Sequence, residues 1–235
     1  MRVAPCAVMD DPFLRACEAA AITHDHPTGY LCAGAFAQIL ACLMRGESLE
    51  QGIEQACARL VTFAGHEETI QAINAAVELA ATNPGDAAMV ETLGGGWVGE
   101  ETLAIALYCA LSHPDDFEKA LLLSVNHSGD SDSTGAVCGN LMGMKLGAGV
   151  WPEKWKKYLE LNELIGDMGR KLAALVKQVD DDMLYYDLKV LLNDAPQGPA
   201  PVMQTAFSYQ VLPFAQVERE YLELFEALMS EVHGA

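Results

Sequence analysis

Residues 94–112 read GGGWVGEETLAIALYCALS. The glycine-rich opening is a flexible loop, and the segment from Glu100 is a helix. From Leu103 to Leu111 no charge interrupts the apolar run, and the apolar residues do not alternate with polar ones as a half-buried strand requires. A helix that is apolar on every side belongs in a protein interior. Alanine supplies much of this run, so the neighbours of this helix pack closely against it.

The same reading extends outward. HPDDFEKALLLSVNH, residues 113–127, forms a helix capped by the acids after Pro114. Upstream, a helix from Glu67 to Ala81 ends in Asn83-Pro84-Gly85, a strong stop signal. Ser48 and Gln51 make a capping box for a helix reaching about Ala64. A helix from about Tyr30 to Met44 carries a small-residue face of Ala33, Ala37 and Ala41 and stops at Gly46. Asp10-Asp11-Pro12 starts a helix that runs to about Ala21, where THDHPTG breaks it. Beyond the loop-helix unit, Gly135, Gly139, Gly143 and Gly147 recur every four residues, predicting a smooth helix face on which a neighbouring backbone lies closely. Trp151-Pro152 opens another helix and residues 160–179 a further one. From residue 180 the character changes: NDAPQGPAP is a proline-rich linker, and residues 216–232 form an amphipathic terminal helix. The expected fold is all-α, with a helical domain over 1–179 and a linker and helix of unassigned role over 180–235.

The chain has 235 residues, 51% of them hydrophobic and 7% aromatic, which supports a real core of packed helices. A formal charge of −19 with only 14 basic residues excludes a phosphate-tracking nucleic-acid surface. The seven cysteines are scattered, without a Cys-x-x-Cys pair, so neither a zinc knuckle nor a disulfide framework is indicated. The start lacks the apolar stretch of a signal peptide, and no run reads as a bilayer span, so a cytoplasmic protein without membrane partners is expected.

Chemistry concentrates in VNHSGDSDSTGAVCGNLMG, residues 125–143. Asp130 and Asp132 sit one residue apart on a turn that Gly129 tightens, with Ser131, Ser133 and Thr134 adding neutral oxygens. The pair reads two ways. As caps, the acids satisfy the free amides of a helix starting near Ser133. As ligands, they form a hard-oxygen set suited to Mg²⁺, Mn²⁺ or Ca²⁺, with the positive end of that helix directed at the same spot.

HSGDSDSTGAVCGNLMG resembles the C-terminal metal motif of the ADP-ribosylglycohydrolase family, which includes the enzyme that reactivates dinitrogenase reductase. MRVAP, ITHDHPTGYLCAGAFAQIL and GGGWVGEETLAIALYCAL resemble further segments of that family in the same order, over roughly residues 1–176. The resemblance implies an orthogonal all-α multi-helix bundle with two Mg²⁺ or Mn²⁺ ions in a cleft. It also implies hydrolysis of the glycosidic bond between ADP-ribose and a modified side chain or small acceptor. Asp130, Asp132 and Ser133 resemble the late metal ligands, His24 the histidine that contacts ADP-ribose, and Tyr30 a residue of the cleft wall. The family's early Thr-Asp-Asp-Thr motif has no counterpart here. The chain therefore reads as N-terminally truncated relative to the family, weakly active alone, and completed by a second chain, by self-association or by its tail. The alternative is a non-catalytic ADP-ribose-binding or structural helical protein.

Other residues carry more modest expectations. Glu100 and Glu101 are first-turn acids, with a base beside the cleft as the second reading. His26 is a structural loop histidine, and His127 orders the acidic turn. Trp97 and Trp151 are packing anchors, and Arg2 is a lone cation facing the cleft. Asp180-Asp181-Asp182 is a solvated helix end.

Overall fold

A computed structural model describes residues 1–172 and residue 174. The expected linker, the terminal helix, Asp180-Asp181-Asp182 and the domain boundary at residue 180 lie outside the described residues. The chain divides into two compact units at Asp167/Met168, and the helical bundle belongs to the first, Met1–Asp167. A 3₁₀ turn, Ala4–Val8, leads into α1 (Pro12–Ala21), α2 (Pro27–Met44), α3 (Leu49–Leu60), α4 (Glu67–Thr82), the short α5 (Ala87–Val90), a 3₁₀ turn at Glu91–Leu93, α6 (Gly99–Ser112), α7 (Phe117–Val125), α8 (Ser131–Leu146), a 3₁₀ turn at Ala148–Val150 and the short α9 (Glu153–Lys156). The protein is an all-α multi-helix bundle, and among the described residues there is no strand.

The caps explain the boundaries. Asp11 accepts the Leu14 amide with Pro12 behind it, Ser48 and Gln51 exchange both bonds of a capping box, and Asp116 accepts the Lys119 amide. The ends of α2 and α3 are among those that differ from expectation. Helix α2 begins at Pro27 rather than Tyr30, because proline at the first helical position needs no amide partner. Helix α3 ends at Leu60, where the carbonyls of Cys57 and Arg59 are taken up by the Val61 and Thr62 amides.

Helices α2 and α6 form the centre. Thr102–Ala110 of α6 are all buried, and 12 of the 18 residues of α2 are buried. Helix α1 packs on α2, α3 on α2, α4 on α6, and α8 on both α6 and α7. Helix α2 is long and apolar enough to cross a membrane by length and composition, which the sequence reading missed. Two-thirds of it is covered by its neighbours, and a helix buried all round has no need of a polar face. At Gly34 a Cβ would lie 3.0 Å from the Phe13 carbonyl oxygen and closer still to Cys17 Sγ, so glycine lets α1 and α2 approach. The predicted glycine face of α8 behaves differently. Only Gly135 is in tight contact, a Cβ there meeting Val125 Cγ1 at 2.6 Å, whereas Gly139 and Gly143 have ordinary room. Gly147 (φ +80°) ends the helix, and the approaching groups are side chains, not a backbone. Trp151 does anchor packing, stacked on Phe117 at 6.1 Å. All seven cysteines are free thiols, six of them buried.

Tyr108 is fully buried on α6. Its hydroxyl donates to the Asn83 carbonyl (2.6 Å) and accepts the Asp86 amide (2.9 Å), fastening the α4–α5 turn to the central helix. Tyr108→Phe strands both backbone groups. It is expected to cost ~1–3 kcal/mol, a fall in Tm of roughly 2–12 °C in a thermal melt.

Candidate functional site

The acidic turn is assembled from the backbone upward. Helix α8 starts at Ser131, two residues before the expected Ser133, because Asp130 is its cap: Oδ1 accepts the Ser133 amide at 3.3 Å. Asp132 falls in the first turn, where the helix dipole favours its charge. The capping reading thus holds for Asp130, without excluding its second oxygen from other work.

Beneath the turn lies Thr134, fully buried. Its hydroxyl lies 2.7 Å from the Ser124 carbonyl and 2.9 Å from His127 Nε2. The Gly129 amide donates to His127 Nδ1 (3.1 Å), which makes Nδ1 an acceptor and assigns the proton of the neutral ring to Nε2. Nε2–H then donates to Thr134 Oγ1, whose own proton goes to Ser124. His127 orders the turn through these two bonds. From the other side, Glu91 accepts both the Ser128 amide (2.9 Å) and hydroxyl (2.7 Å), and these bonds hold its carboxyl below the usual range.

The glycine loop closes against the turn. The Asp130 amide donates to the Gly95 carbonyl at 2.7 Å. A Cβ on Gly129 would fall 2.7 Å from Gly95 Cα and nearer still to its oxygen, a contact only glycine permits. Thr102 donates to the Gly96 carbonyl (2.8 Å), and Glu101 accepts the amides of Gly95 (3.1 Å) and Trp97 (3.2 Å). Glu101 is thus turned toward the loop, and neither it nor Glu100 borders the cleft.

That cleft, about 330 Å³, is lined among others by Arg2, His24, Gly96, Trp97, Asp130 and Ser133. Three of the five expected site residues, His24, Asp130 and Ser133, therefore meet on one hollow. Tyr30 does not line it; half-buried, it packs against the core. Asp132 borders a shallower groove on the outer side of α8, beside Leu122 and Trp155. Arg2 lines the cleft and donates to the Ala19 carbonyl (3.2 Å) and to Thr23 Oγ1, whose hydroxyl lies 2.8 Å from His24 Nδ1. Arg2 is therefore tied to its neighbours rather than a lone cation. Trp97 corrects the sequence reading. It is 74% exposed at the rim, and its indole folds back over Gly95, where a Cβ would meet Cδ1 at 2.6 Å. The flanking glycines were the available signal, since they offer a large ring nothing to pack against.

The carboxyls of Asp130 and Asp132, one residue apart at the start of α8, interact with each other. That interaction holds the Asp130 carboxyl below the usual range, aided by Ser133, and pushes the Asp132 carboxyl up, with repulsion from Asp130 as the second cause. Two like charges this close share a proton or a cation. Carboxylates with an adjacent hydroxyl suit a hard divalent ion, so the donor chemistry fits Mg²⁺ or Mn²⁺. It fits as part of a shell: among the described residues no group of three or more His, Cys, Asp or Glu is gathered for a metal.

An uncharacterised protein of Archaeoglobus fulgidus is 29% identical over 180 residues, covering 74% of this chain and 57% of that protein. The chain thus spans little more than half the length of this relative. No solved structure matches the chain. The ADP-ribosylglycohydrolase family model matches residues 1–182. Because that match runs from the first turn past the acidic turn and takes in most of the chain, this protein belongs to the ADP-ribosylglycohydrolase family.

Proposed function

We propose that the cleft serves metal-dependent hydrolysis of the glycosidic bond between ADP-ribose and a modified side chain or small acceptor. The observation that carries the reading is the meeting of Asp130 and Ser133 with Arg2, His24 and Trp97 around one hollow. Mg²⁺ or Mn²⁺, held by Asp130, Asp132 and Ser133, would lower the pKa of a water and fix the ribose hydroxyls. The chain's own groups do the rest. Arg2 and the N-terminal amides of α6, at Val98 and Gly99 on the cleft wall, offer positive charge to a pyrophosphate in an otherwise acidic protein. His24 Nε2, without a protein partner among the described residues, is free to bond a sugar or phosphate oxygen. The exposed face of Trp97 suits a flat ring or a sugar face.

A second reading, ADP-ribose binding without turnover, is favoured by the incomplete ligand set. Under either reading ADP-ribose raises the Tm of the chain more with MgCl₂ than without. A ligand at a hundred times its Kd stabilises by ~2.7 kcal/mol. Asp130→Asn and Asp132→Asn each are expected to remove the magnesium-dependent part of that shift. A melt indifferent to ADP-ribose, with or without the cation, refutes both readings. Release of ADP-ribose from an arginine-modified protein separates them.

A further inference from the structure

We infer that Glu101 is a positioning residue, which fixes the glycine loop so that the Gly95 carbonyl holds the capping aspartate of the cation site in place. The inference rests on the cation reading above for its consequence, though not for its geometry.

An acid in the first turn of a helix ordinarily attends to the amides of that turn. Glu101 instead reaches back, before its own helix, and one oxygen, Oε2, accepts the amides of both Gly95 and Trp97. The loop is shaped around this carboxylate. Gly94 has φ +112°, and a Cβ there would strike the Glu101 carboxyl. Gly95, held by its amide, presents its carbonyl to the Asp130 amide at 2.7 Å, the shortest bond in this series. Asp130 then caps α8 through Ser133. A carboxylate on α6 thereby sets the backbone of the residue whose carboxylate starts α8, two links away and without touching the cleft. Charge-assisted bonds to two amides are strong enough to hold such a loop, and supporting groups of this kind typically change metal affinity ~10–100-fold when removed.

The prediction separates geometry from charge. Glu101→Gln presents one oxygen to both amides and keeps the length. Glu101→Met keeps the length and loses the acceptor. Glu101→Asp keeps the charge and the first-turn acid but withdraws the oxygen by one methylene. In the full chain, free of metal, amide exchange at Asp130 is expected to stay slow in the Gln variant and to accelerate in the Met and Asp variants. Mn²⁺ affinity, read by electron paramagnetic resonance, should weaken ~10-fold or more in Met and Asp and only a few-fold in Gln. A melt checks that each variant is folded; the Asp variant carries the test if the Met variant is not. Wild-type exchange at Asp130 in the Asp variant, with wild-type Mn²⁺ affinity, overturns the inference, because a role as helix acid or bulk charge predicts that result. If the wild-type chain binds no Mn²⁺, the cation reading falls and Asp130 exchange alone decides whether Glu101 positions the turn.

Discussion

Gly129→Ala is expected to dismantle the cleft while leaving the central helices in place. The added Cβ would lie 2.7 Å from Gly95 Cα and closer to its carbonyl oxygen, both backbone atoms that cannot rotate aside. The loop and the turn must therefore separate, and the bond from the Asp130 amide to Gly95 is lost with the contact. Overpacking of this kind costs ~1–3 kcal/mol, and the abandoned amide and carbonyl add roughly 1–3 kcal/mol where water cannot replace them. Stability is the smaller consequence. Asp130, Ser133, Gly96 and Trp97 share the cleft because the loop closes on the turn, so the magnesium-dependent thermal shift with ADP-ribose should vanish. A variant that melts like wild type and still responds to the cation would mean that the contact between Gly129 and Gly95 does not hold the site.

Thr134→Val should have an effect of similar size for a different reason. The two side chains have nearly the same shape, so no cavity opens and no helix propensity of consequence changes. What disappears is one hydroxyl at the centre of the turn. The Ser124 carbonyl loses its 2.7 Å donor, and His127 Nε2–H loses its 2.9 Å acceptor, at a residue with no exposed surface. At ~1–3 kcal/mol for each deserted group, a loss of roughly 2–6 kcal/mol is expected by urea denaturation. Nitrogen chemical shifts should show His127 leaving its single tautomer as the ring loses its anchor. Thr134→Ser, which keeps the hydroxyl and loses only the methyl beside Gly96, should retain the tautomer and most of the stability. If Val and Ser behave alike, the methyl matters and the hydrogen-bond hub does not.

Much of the bundle is legible in one dimension because its signals are local. A capping acid before proline, the Ser48–Gln51 box and the Asn83-Pro84-Gly85 stop each act within a few residues. Helices α1, α4, α6 and α7 accordingly begin and end within a residue or two of expectation. The start of α8 lies two residues before expectation because Asp130 and Ser133 are both capping types, and only the turn's tertiary contacts select between them. Tyr30 and Trp97 lie where the sequence does not place them for a common reason: an aromatic ring's destination depends on which helix arrives beside it. Tyr30 meets the core, and Trp97, perched among glycines, meets solvent at the cleft rim.

By itself the sequence determined the helical class, the caps, and the segment that carries the oxygen donors, since propensity, capping and apolar periodicity are properties of neighbouring residues. Only the tertiary structure decided that Gly95 touches Gly129, that Glu91 and Glu101 brace a turn made by distant residues, and that Asp130 opens on the cleft while Asp132 borders the groove outside. The bond from Ser128 to Glu91 alone spans 37 positions of chain. Such partners are chosen by which apolar faces bury against each other, and no single stretch of chain encodes that choice.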